Sequence, residues 1–192
     1  MKDIQLNFLG PFTFTTGDAS VFECTVALCP GIYLWTIKQS IDGSRLVHYV
    51  GETTSLGDRH RQHLTSILGL DYGIFDVDKA RHGVCELLWK GLWRDKSPSA
   101  PSHQIAAYET IHNQVLRYIA AIDIFFAEFH GEKQLRRHIE GCIGWNLRNN
   151  HPDCKVLYPD DNQIGTWPDK NSGVLRITSS EPIRGIDPDI PY

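Results

Sequence analysis

Apolar positions along the chain switch between a period of two and a period near 3.6, and each switch marks a predicted element. "IQLNFLGPFTFT" from Ile4 and "SVFECTVAL" from Ser20 are rich in β-formers and bounded by Gly, Pro and Asp, which predicts two short strands. "IYLWTIK" and "RLVHYVGET" follow, joined by "QSIDGS", whose Asp42-Gly43 pair favours a tight antiparallel hairpin. From Leu56 to about Leu68 the rhythm is helical, with Ser55 as cap and Leu56, Leu64, Ile67 and Leu68 as the apolar side. "DKARHG" predicts a short helix, "VCELLWKGLW" a strand or hairpin arm, and "SHQIAAYETIHNQVLRYI" a helix opened by Ser102. Residues 122–129, "IDIFFAEF", are a near-continuous β-branched and aromatic run, the pattern of a central strand. "EKQLRRHIEGCIGWNLRN" is again helical, with Leu135, Ile139, Cys142, Ile143 and Asn146 along one side. The tail from Tyr158 is rich in Pro, Asp and Gly and offers one last strand, "GVLRIT". The fold class expected is α/β (α+β): a small mixed central sheet of about three strands flanked by helices, with extra β elements at the N-terminus and an irregular C-terminal tail.

Composition narrows the class. The 192 residues suit one domain, spanning 1–192, and are enough to bury a core without staples. With 41% hydrophobic and 22% charged residues the chain reads as an ordinary globular protein. No apolar run is long enough to cross a bilayer, and "MKDIQLNFLGPF" lacks the features of a signal peptide, so the expectation is a cytoplasmic protein with no membrane partner. Five cysteines, an odd number without a CxxC pair, argue against a disulfide framework. The net charge of −4 gives no global basic footprint, so any polyanion must be met by a local basic patch.

On the predicted helix after Ser55, Arg59 and His63 fall roughly 40° apart, at the border of the apolar stripe where a cleft wall belongs. Glu140 falls roughly 60° beyond Ile143 on the later helix, again a border position. Taken in order, "GIY" at 31–33, a hairpin, "YVG" at 49–51, "TTSLGDRHRQH" after it, a strand, and a helix carrying Glu140 resemble the GIY-YIG nuclease family. The likeness covers residues 31–165, with an insertion at about 70–120. It implies a sheet with helices on its faces holding a phosphodiesterase site, and a metal-dependent endonuclease that hydrolyses DNA, double-stranded or branched. Carried over, the site residues are Tyr33, Tyr49, Arg59 and Glu140, with Glu140 holding one divalent cation, Mg²⁺ or Mn²⁺. His63, four residues after Arg59, resembles the restriction-enzyme-like members. The family's downstream asparagine has three candidates, Asn149, Asn150 and Asn162, and "YPDDN" favours Asn162. A basic residue that some members carry just after the second motif is Glu52 here.

The residue types suit that chemistry on their own terms. Phosphodiester hydrolysis needs an activated water, charge neutralisation on the non-bridging oxygens and help for the departing oxygen. Mg²⁺ keeps much of its hydration and needs few protein ligands, so one carboxylate suffices to recruit it. Arginine offers a planar two-pronged contact to phosphate that lysine cannot reproduce. Histidine titrates near neutrality, whereas a tyrosine with its ordinary pKa of about 10 acts as a base only where a neighbour lowers it. Tyr33 beside the attacking water, with His63 as its proton acceptor, is the assignment that follows.

Beyond these residues the signals weaken. Arg61, Lys90, Arg94, Arg136 and Arg137 are candidate nucleic-acid contacts. Trp89 and Trp93, beside Lys90, Arg94 and Lys96, fit either base stacking or a core, with the core favoured. His138, Cys142, His151 and Cys154 form a weak zinc pattern that straddles a helix end. The alternative function is a non-catalytic nucleic-acid-binding or assembly module that retains the fold, separated from the enzyme by whether Tyr33, Arg59 and Glu140 converge on one cleft.

Overall fold

The computed structural model describes residues 3–157 and 173–192. In chain order its elements are β1 (Ile4–Phe12), β2 (Gly31–Lys38), β3 (Arg45–Thr53), α1 (Leu56–Leu68), β4 (Ile74–Phe75), α2 (Val77–Ala80) and β5 (Leu87–Trp89). α3 (Ala100–Ala121), β6 (Ile122–Glu128), α4 (Lys133–Asn150), α5 (Pro152–Leu157), β7 (Val174–Ser179), β8 (Ile183–Arg184) and β9 (Asp189–Pro191) complete the series.

β2 is buried from Gly31 through Ile37, as a near-continuous apolar run covered on both faces requires, and the Thr36 hydroxyl within it donates to Asp123 O at 3.2 Å. β3 pairs antiparallel along one edge of it and β6 antiparallel along the other, so the three strands expected at the centre lie side by side. The sheet does not stop at three. Among the described residues it has seven strands in the order β8-β3-β2-β6-β1-β7-β9, with β1–β7 and β3–β8 parallel and the other pairs antiparallel. The tail, expected to hold a single strand at "GVLRIT" and otherwise to be irregular, supplies three of them: that strand is β7, and β8 and β9 follow it. β7 joins β1, its partner from the opposite end of the chain, and this long-range pairing corrects the small-sheet expectation.

A second correction concerns residues 20–28, predicted as a strand. Local bonds bend them into successive turns, Cys24 N to Ser20 O at 3.0 Å and Ala27 N to Cys24 O at 3.0 Å. Their carbonyls then serve α1: Leu56 N donates to Cys29 O at 3.2 Å and Gly57 N to Ala27 O at 2.7 Å, which satisfies amides a helix leaves unpaired at its start. α3 begins at Ala100, two residues before Ser102, with Ser99 at the cap position. Residues 70–120, the expected insertion, fold into α2, the two-stranded β4–β5 sheet and most of α3, which packs on α1, α2, β4 and β6. α4 packs on β3 and β2. Among the described residues no helix is long and apolar enough to cross a membrane.

Candidate active site

The register of β2 against β3 builds the floor of the site. Tyr33 pairs with Gly51 and Trp35 with Tyr49, so all four lie on one face of the sheet. The Tyr33 ring lies across Gly51, where an added Cβ would come within 2.2 Å of the Tyr33 hydroxyl. Gly31 is likewise excluded from carrying a side chain, since its Cβ would meet Ala127 O at 2.1 Å. The first and last glycines of the "GIY…YVG" pattern therefore have a packing reason. Beyond Trp35 the ladder shifts register, and His48 is the extra residue, facing Tyr118 and Phe75.

α1 starts at Ser55, whose hydroxyl accepts from Asp58 N and steadies the first turn. Its buried stripe is Leu56, Gly57, His60, His63 and Ile67, whereas Leu64 is half-buried and Leu68 exposed. The apolar side thus differs from the one predicted, because two histidines take core positions that a hydrophobicity count assigns to leucine. Both can do so because both ring nitrogens find partners. Trp35 Nε1 only donates, so His60 Nε2 accepts from it at 3.0 Å and His60 Nδ1 donates to Leu56 O at 2.8 Å. By the same logic Arg59 Nε donates to the Tyr33 hydroxyl at 3.3 Å, and that hydroxyl donates to His63 Nε2 at 2.6 Å. The remaining His63 proton then sits on Nδ1 and reaches the Tyr72 hydroxyl at 3.1 Å.

Burial pushes the His63 pKa well below its usual value, with the Arg59 and His60 charges acting in the same direction. His60 is pulled down to about 4 mainly by burial. His63 is therefore neutral at physiological pH. Burial first, and Tyr49 next, raise Tyr33 well above the ordinary tyrosine value, with Arg59 only partly opposing. Tyr33 is completely buried and does not border the open cleft, so it does not stand beside an attacking water as expected; its neighbour Tyr49, with ring centroids 5.9 Å apart, does border it.

That cleft, about 1260 Å³ in volume, is also lined by Arg59, Tyr72, Lys90, Arg94, Arg137 and Glu140. Glu140 reaches it from α4. It makes no hydrogen bond or ion pair among the described residues, and burial, reinforced by Glu52, raises its pKa to about 7 against the opposing pull of Arg59 and Arg137. Glu52 is differently placed: Arg136 Nε donates to it at 3.1 Å and Arg137 Nε lies 3.7 Å away. Among the described residues no group of three or more His, Cys, Asp or Glu side chains is placed to hold a metal ion. A hydrated Mg²⁺ asks for no such cage, and a half-buried carboxylate without a partner fits its needs.

The remaining candidates separate. Arg136 is buried, holds Glu52 and donates to Gly131 O at 2.5 Å, so it is an internal strut rather than a nucleic-acid contact. Arg61 is exposed beside Asp58 and lies outside the cleft lining. Asn149 donates to Trp145 O at 2.8 Å and Asn150 to Asp187 at 3.2 Å, and neither borders the cleft. Asn162 falls outside the described residues. The zinc pattern does not assemble: His138 faces Tyr192, His151 pairs with Asp187, and Cys142 and Cys154 are buried thiols pushed up to about 12 by burial. Sequence reasoning missed Tyr72. It follows the end of α1 with no periodic signal, and only the fold brings it to His63.

No family model matches the chain, and no curated protein or solved structure matches it either.

Proposed function

We propose that this protein is a divalent-cation-dependent endonuclease acting on DNA through a GIY-YIG-type site in the cleft between α1 and α4. One observation carries the reading: Arg59, a partnerless Glu140 and Tyr49, distant in sequence, border one cleft backed by the Tyr33–His63 pair. Glu140 is the residue that would hold Mg²⁺ or Mn²⁺, and a cation there supplies charge neutralisation at the phosphate and assistance to the leaving oxygen. Arg59 binds the phosphate oxygens. Its Nε is anchored on the Tyr33 hydroxyl and one terminal nitrogen on Gln62 at 3.2 Å, which fixes the plane of the guanidinium. Tyr49 is the tyrosine beside the attacking water. Tyr33 and His63 act behind it as positioning residues, with Tyr72 setting the His63 tautomer that accepts the Tyr33 proton.

The test uses the purified full chain with plasmid, branched and single-stranded DNA in Mg²⁺, Mn²⁺ or EDTA. The expected result is strand scission that needs the cation, is abolished by EDTA, and falls about a thousandfold in Glu140→Gln with DNA affinity retained. Tight DNA binding without scission would replace the enzyme with a non-catalytic binding module. Absence of binding to any of the three would remove both readings.

A further inference from the structure

Two tryptophans four residues apart have opposite fates. Trp89 packs against the core and donates its indole N–H to Leu70 O at 2.8 Å. Trp93 leaves 65% of its surface exposed, the outcome hydrophobic burial should prevent. Its backbone is nonetheless tied down. Trp93 N donates to Asp71 O at 3.2 Å and Leu92 N to Leu70 O at 3.1 Å. Gly91 adopts a left-handed φ of 85°, where a Cβ would meet Asp71 O at 2.5 Å, so the close approach of the two loops is built in. The indole is a large flat surface held outward on a fixed strand–loop junction.

Its surroundings point to the occupant. Trp93 lines the same cleft as Arg59, Tyr49 and Glu140, and Lys90, Arg94 and Arg137 line it too. The Lys96 ammonium sits 5.8 Å from the centre of the Trp93 ring, so a cation already marks one of its faces. The lining also carries Glu52, Asp58, Asp71 and Glu140, but in the stretch that holds the ring Lys90, Arg94 and Lys96 outnumber Asp95, in a chain of net charge −4. A nucleic-acid strand matches both features, phosphates for the cations and a base for the ring. In a duplex the bases are stacked on one another, so only an unpaired base is free to lie on an indole.

We propose that Trp93 is a stacking platform for an unpaired nucleobase of the strand entering the cleft, which directs the protein toward single-stranded or unpaired segments of DNA. This rests on reading the cleft as a nucleic-acid site, and the test separates the two. Fluorescence anisotropy in EDTA would follow the full chain binding a dye-labelled single strand of about 20 nucleotides and the blunt duplex of the same sequence. Trp93→Ala should weaken single-strand binding about tenfold or more and duplex binding by less than about twofold, and Trp93→Phe should recover most of the loss because it restores a ring. Circular dichroism of each variant checks that the fold is kept. Equal weakening on both DNAs, or no weakening on the single strand, overturns the platform.

The cleavage arm uses the same variants in Mg²⁺. A wild type that cuts while Trp93→Ala binds both DNAs unchanged leaves the nuclease reading and removes the platform. A wild type that binds single strands through Trp93 but never cuts keeps the platform and removes the hydrolase. Failure of the wild type to bind either DNA overturns both.

Discussion

The two helices that border the cleft solve the problem of buried polar groups in opposite ways. On the α1 side every buried heteroatom of the network has a partner: Trp35, His60 and Leu56 in one chain, Arg59, Tyr33, His63 and Tyr72 in the other. On the α4 side Arg136 is spent on Glu52 and a carbonyl, while Glu140, close enough to feel the Glu52 charge, has no partner among the described residues. A satisfied network gains rigidity from its low-dielectric surroundings; a carboxylate without a hydrogen-bond partner in similar surroundings carries a cost that the Arg59 and Arg137 charges offset only in part. One wall is built to hold geometry; the other keeps a carboxyl whose pKa burial and Glu52 raise to about 7.

Breaking the α4 wall should give the largest effect. Beyond the loss of scission, Glu140→Gln should raise stability at pH 8 by about 1–3 kcal/mol, read as a higher melting temperature. A carboxyl whose folded pKa of about 7 exceeds its unfolded value near 4.5 is favoured by the fold below pH 4.5, and that contribution is lost as pH rises through 7. Mg²⁺ should raise the melting temperature of the wild type above pH 7 and leave that of the variant unchanged. A variant that melts lower at pH 8, or that responds equally to Mg²⁺, would show that Glu140 is not an uncompensated charge.

Acid tests the α1 wall and the His48 pocket beside it. Burial lowers His48 to about 3 and His60 to about 4, with His63 also well below its usual value. For a base with a depressed folded pKa, the unfolded chain takes up protons first. Stability is therefore full above about pH 6.5 and falls as pH drops from there toward 4. The net loss between pH 7 and 5 should be about 2–4 kcal/mol, partly offset by protonation of Glu140, and measurable by urea titration. A flat profile across that interval would mean the histidines titrate in the folded state.

Overpacking the floor comes next. Gly51→Ala forces the Tyr33 ring aside, which should cost about 1–3 kcal/mol and disconnect Arg59 and His63 together. Scission should then fall more than in Tyr72→Phe, the mildest change. Tyr72→Phe removes a single hydrogen-bond partner of His63 and should cost about 1 kcal/mol by thermal melting. If Tyr72→Phe destabilised the protein as much as Gly51→Ala, the network would be controlled from its cleft end rather than from the sheet.

The local rhythm of the chain was enough to locate β2, β3, β6, α1 and α4, because an amphipathic or doubly buried element writes its environment into consecutive residues. It also carried the order of Tyr33, Tyr49, Arg59 and Glu140 on those elements, and Arg59 and Glu140 fall at the borders of their helices as their positions on the wheel required. The size of the sheet was not legible, since β7 finds β1 across nearly the whole chain and no local pattern encodes that pairing. Nor was the buried side of α1, because His60 and His63 count as polar until Trp35, Tyr33 and Tyr72 supply their hydrogen bonds from elsewhere in the fold. The same holds for Arg136, whose charge is buried only because Glu52 waits on β3, and for Tyr33 and Trp93, two aromatics that composition treats alike and the fold sends to the core and to the surface. Periodicity reports what one element asks of its surroundings; which polar groups can be buried depends on partners that only tertiary structure brings within hydrogen-bonding distance.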